Sequence, residues 1–104
     1  MRYISTRGGV EPISFSQAVM MGLATDGGLL LPKKIPTVDA DTLQRWGQLS
    51  FQELAVEVML PYVGDDLSRD ELTDLVNRSY AGFSHPEITP VLGIGVISGW
   101  EKPA

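Results

Sequence analysis

Two stretches near the start of the chain decide the fold: YISTRGG at Tyr3–Gly9 and SFSQAVMMGLATDGGLLLP at Ser14–Pro32. Residues 2–5 read as a short strand, and STRGGVEP after it reads as a turn or loop, punctuated by paired glycines and a proline. Ser14 and Gln17 have the spacing of a capping box, which predicts a helix start. Phe15, Ala18, Val19, Gly22 and Leu23 then share one helical face, expected to be buried, with Gly22 letting a neighbouring backbone approach. Asp26-Gly27-Gly28 is expected to end the segment, because glycine tolerates the left-handed conformation of a helix C-terminus. Leu29–Pro32 is expected as a short buried strand pairing with residues 2–5, its proline restricted to a strand end or edge.

Beyond this unit the pattern turns helical. Asp39 is expected to cap a short helix running to Gln48 that buries Leu43 and Trp46. Ser50 and Glu53 form a second capping box, opening a helix with Phe51, Leu54, Ala55 and Val58 inward, which Pro61 should end or kink. Ser68 and Glu71 form a third, with a stripe of Leu72, Leu75, Val76, Tyr80 and Phe83 behind it. The expected fold class is α+β, mostly α: about four helices with a small two-stranded sheet. The final VLGIGVISGWEKPA has no helical period and reads as an irregular end.

The chain has 104 residues, room for one compact domain. With 43% hydrophobic residues it should fold without metal or disulfide staples. The absence of cysteine excludes a disulfide framework, a cysteine nucleophile and thiolate metal sites. The single histidine, His85, excludes a multi-histidine metal centre. No apolar run approaches the ~20 residues of a bilayer span, and MRYISTRGG lacks the apolar core of a signal peptide. A cytoplasmic protein is expected. Net charge is −5, and residues 53–104 carry nine acidic against three basic side chains. Nucleic acid and anionic membrane surfaces are therefore not expected partners.

Few residues offer chemistry. His85 lies in a loop before a proline and has no visible orienting partner. Asp65, Asp66, Asp70, Glu71 and Asp74 lack the spacing of a calcium loop, and the last three suit the first turns of a helix. Lys33 and Lys34 sit in a proline-flanked loop that is unlike the desolvated pocket of a Schiff-base lysine. Thr6-Arg7-Gly8-Gly9 places a guanidinium beside flexible backbone amides, a site suited to a phosphate or carboxylate. The alternative is that this arginine is merely solvated, and that Asp26-Gly27-Gly28 is no more than a helix stop.

The two opening stretches, with LSFQELAVEVMLPYVGD at Leu49–Asp65, resemble the N-terminal domain of threonine synthase. SYAGFSHPEITPV at Ser79–Val91 looks like that family's link toward its catalytic domain. The resemblance covers about residues 1–91 and leaves 92–104 as a tail unlike the family. It implies a pyridoxal-phosphate enzyme that converts O-phosphohomoserine and water to threonine and phosphate. It also implies that the Schiff-base lysine and the cofactor's phosphate loop lie beyond this stretch. No cofactor, catalytic or metal residue is therefore expected in this chain, which should be inactive alone. Its expected partners are the threonine synthase catalytic domains, in cis or in trans. The resemblance further suggests that Thr6, Arg7 and Gly8, with Asp26, Gly27 and Gly28, face the substrate side. On that reading Arg7 helps to hold the substrate phosphate; the rival is that both turns only brace the strand-helix-strand unit. Another class of function also fits, a stand-alone protein-binding module that has lost its catalytic partner.

Overall fold

The computed structural model describes residues 1–83. In chain order the elements are β1 (Tyr3–Ser5), α1 (Phe15–Met21), β2 (Leu30–Pro32), α2 (Ala40–Trp46), α3 (Phe51–Val63) and α4 (Arg69–Phe83). These four helices and one two-stranded sheet match the expected class. His85, the tail at 92–104 and the end of the link to Val91 lie outside the described residues. The described residues form two compact units, one of Met1–Pro36 with Leu60–Ser68, the other of Thr37–Met59 with the described residues from Arg69.

In the first unit β1 and β2 run antiparallel, with Tyr3 opposite Pro32, Ile4 opposite Leu31 and Ser5 opposite Leu30. Tyr3 spends its backbone groups on Ile13 instead, at 2.8 and 3.0 Å, so Pro32 sits where no N–H is asked of it. Tyr3 is also the centre of the small core. Its ring lies 5.8 Å from that of Phe15, and its hydroxyl donates to the Tyr62 carbonyl at 2.7 Å. Ala24 and Val63 are buried in the same unit.

Ser14 caps α1 as its spacing predicts: the Gln17 amide donates to Ser14 Oγ at 3.2 Å, and the Ser14 amide donates to Gln17 Oε1 at 2.9 Å. Asp66 adds a distant cap, accepting the Ser16 amide at 2.6 Å. The helix then stops early. Gly22 takes φ +72°, reversing the chain after Met21, so the expected face does not reach Leu23. Gly22 is exposed with open space where a side chain would be, not a point of close backbone approach. Val19 and Leu23 are exposed as well, against expectation, because a helix of two turns has too little length to carry a buried stripe. The buried strand at Leu29–Pro32 also needs correction. Only Leu30–Pro32 is strand, and Leu29 and Leu31 are exposed because successive side chains alternate across the sheet.

In the second unit Asp39 caps α2, accepting the Thr42 amide at 2.8 Å. The helix ends at Trp46 rather than Gln48, as Gln48 and Leu49 donate instead to carbonyls three residues back. Leu43 is exposed and Trp46 half-buried. Ser50 and Glu53 complete their capping box at 2.9 and 3.2 Å. The buried residues of α3 are Val56 and Val63, not the predicted set; Phe51, Leu54 and Ala55 are half-buried and Val58 is exposed. This helix is apolar on most sides, so spacing alone does not select a face. It stops at Val63, two residues past Pro61. Helix α4 opens after Ser68, and of its stripe Leu72 and Val76 are buried while Leu75 is exposed. Tyr80 meets the Phe51 ring edge-on, 4.9 Å between centroids.

Leu72→Ala should cost about 3 kcal/mol in urea denaturation, as a cavity-forming change in a core. Leu75→Ala should cost less than about half of that, because much of its side chain already meets water.

Candidate functional site

The antiparallel register brings the turn after β1 and the turn before β2 to the same end of the sheet. Thr6 pairs with Leu29 there: its amide donates to the Leu29 carbonyl, and its hydroxyl accepts the Leu29 amide, both at 2.8 Å. The second turn does not stop a helix, since α1 has already ended at Gly22. It is a tight reversal, with the Gly27 amide on the Ala24 carbonyl at 2.9 Å.

Asp26 closes the two turns onto each other. Its carboxylate accepts the Ser5 hydroxyl at 2.7 and 2.8 Å, the Gly28 amide at 2.9 Å and the Gly9 amide at 2.8 Å. These donors hold its pKa below the usual aspartate value, the Ser5 hydroxyl contributing most, then the Gly28 and Gly9 amides and the Arg7 charge. Ser5 is buried and absent from the residues singled out by sequence. The available signal was its position two residues after Tyr3, which puts a polar side chain on the inward face of a strand. Gly28 is buried at the crossing point. A Cβ there would lie 2.9 Å from Thr6 Oγ1 and 3.0 Å from the Arg7 amide, and nearer still to Ser5 Oγ.

Arg7 is exposed, and its guanidinium donates to the Asp26 carbonyl at 3.4 Å. The backbone amides beside it are already engaged. Arg7 N–H goes to Ser5 Oγ at 3.1 Å, Gly8 N–H to the Ser5 carbonyl at 3.0 Å and Gly9 N–H to Asp26. A guanidinium flanked by open amides is therefore corrected to a guanidinium acting alone, because the turn uses its amides to close on itself. All six sequence-derived candidates thus meet at one place, with Asp26 and Gly28 inside the turn structure and Arg7 at its surface.

The other candidates scatter. Asp66 caps α1, Asp74 pairs with Arg78 at 2.9 Å, and Asp70 and Glu71 lie in the first turn of α4. Among the described residues no three acidic or histidine side chains converge as metal ligands. No described helix is long and apolar enough to cross a membrane.

Residues 2–80 match the family model described as threonine synthase N terminus. The chain belongs to this family. It is 49% identical over 90 residues to threonine synthase of Schizosaccharomyces pombe, which covers 86% of this chain and 18% of that protein. It is 36% identical over 105 residues to human threonine synthase-like 2, covering 96% of this chain and 22% of the relative. A crystal structure of PLP-bound threonine synthase from Brucella melitensis superposes with TM-score 0.79 at 34% identity, covering 86% of this chain and 19% of the other. The chain thus spans roughly a fifth of the length of the relatives it matches.

Its described residues do not fit the pyridoxal-phosphate group of that neighbour. Lys33 and Lys34 are exposed directly after β2, whereas a Schiff-base lysine needs a desolvated pocket. The amides of the Thr6–Gly9 turn, which would otherwise cradle a phosphate, are occupied.

Gly28→Ala should break the clasp and lower the melting temperature, since the new methyl displaces Ser5 and Thr6. The clasp should also respond to acid. Because Asp26 has a lowered folded pKa, its stabilisation is complete above the usual aspartate pKa and is lost as pH falls through the folded value. The Gly9 and Gly28 amide resonances should therefore titrate together, with a midpoint below that of an unfolded aspartate.

Proposed function

We propose that this chain serves as the N-terminal, non-cofactor-binding part of a threonine synthase. Such an enzyme is a pyridoxal-phosphate-dependent carbon–oxygen lyase that converts O-phosphohomoserine and water to threonine and phosphate in threonine biosynthesis. The chain would do so in the cytoplasm, packed against the catalytic domains in cis or in trans. The observation that carries the reading is the family match over residues 2–80.

In this role the two interlocked turns form the substrate side of the domain. Arg7 supplies a permanent positive charge and several N–H donors, the chemistry that a phosphate monoester requires. Thr6, Gly8, Gly27 and Gly28 shape the turns so that this charge is presented at the surface. The electron-sink chemistry belongs to the cofactor domains, which supply the lysine.

Two measurements test this. The isolated 104-residue chain should release no phosphate from O-phosphohomoserine and show no absorbance of lysine-bound pyridoxal phosphate; either signal would overturn the assignment. In a threonine synthase carrying this segment as its N terminus, Arg7→Ala should raise KM for O-phosphohomoserine about tenfold or more, the loss of a charge-assisted hydrogen bond. An unchanged KM would leave Arg7 without a part in substrate binding.

A further inference from the structure

The guanidinium of Arg7 carries five N–H donors. Among the described residues it makes one hydrogen bond, to the Asp26 carbonyl, and no ion pair. A carboxylate belonging to the same residue lies close by, yet it does not take the arginine. The reason is on the other side of Asp26: both carboxylate oxygens are occupied by three neutral donors, the Ser5 hydroxyl and the Gly9 and Gly28 amides. Ser5 is the hinge of this arrangement. Its hydroxyl donates to Asp26 and accepts the Arg7 amide at 3.1 Å, so one buried oxygen fixes the acid and the backbone of the arginine together.

We infer that Ser5 and Asp26 are positioning residues for Arg7, keeping its guanidinium tethered but not neutralised so that it takes the phosphate of a phosphate-monoester substrate. This rests on the reading of Arg7 given above. Without the Ser5 hydroxyl each Asp26 oxygen keeps only one backbone amide, so the carboxylate has more capacity for Arg7, and an internal ion pair then competes with the substrate. Asp26→Asn removes the competing charge but also one of the two acceptor oxygens that anchor the turn.

The test is a double-mutant cycle in a threonine synthase carrying this segment, with KM and kcat for O-phosphohomoserine as readouts. Ser5→Ala should raise KM about threefold or more while kcat stays within about twofold, and in the Arg7→Ala background it should raise KM no further. The same KM increase in both backgrounds would overturn the inference, since Ser5 would then act independently of Arg7. A silent Ser5→Ala beside a deleterious Arg7→Ala would overturn it while leaving the reading of Arg7 intact. A silent Arg7→Ala removes that reading and this inference together. If Ser5→Ala melts below the assay temperature, Ser5→Cys, which keeps the volume and weakens the donor, runs the same cycle with the same expected outcomes. A turn that folds with neither substitution is purely structural, and the inference fails.

Discussion

The carboxylate of Asp26 is the point on which the first unit turns. Strand β1 and strand β2 are three residues each, too short to hold a register by their ladder alone. Their ends are joined instead by one acid that accepts from Ser5 on one strand, Gly9 beyond its turn and Gly28 before the other strand. Hydrogen bonds from three neutral donors favour the ionised carboxylate. Arg7, the one cationic residue of the two turns, stands at the surface and meets Asp26 through its backbone carbonyl.

The same economy recurs along the chain, since the helix starts rest on polar side chains at their N-termini. Ser14 with Gln17, Asp39, and Ser50 with Glu53 each satisfy helical amides that would otherwise lack partners. Asp66 performs this from 50 residues away in sequence, its carboxylate accepting the Ser16 amide at the start of α1. With Tyr3 bonded to Tyr62, it ties the N-terminal strand and helix to the last turn of α3 and the loop that follows. Few of the described residues are deeply buried, and these polar ties add to what holds the first unit together.

The proposed role draws on the same geometry. A domain whose turns consume their own amides, and whose described lysines are solvated, is poorly equipped for cofactor chemistry. It is well equipped to present a single fixed charge. On the proposed reading, the site depends on how a small scaffold holds one arginine.

Helix starts, the strand pairing and the two glycine turns were legible in the sequence because each depends on residues a few positions apart. The capping boxes of α1 and α3 and the Asp39 cap act locally, and the structure keeps them where their spacing puts them, whereas Asp26-Gly27-Gly28 makes a turn and not a helix stop. The inward faces were not legible. Helix α3 is apolar on most sides, and only packing selects Val56 over Phe51, Leu54, Ala55 and Val58. Gly22 ends α1 before Leu23 because it takes a left-handed conformation, although the apolar pattern runs on. The six candidate residues fall in two turns, but whether the turn amides face outward or inward was decided by Asp26, Ser5 and the β1–β2 register. Local hydrogen-bonding chemistry is written in neighbouring residues, whereas burial and the direction of a donor depend on what the rest of the chain brings alongside.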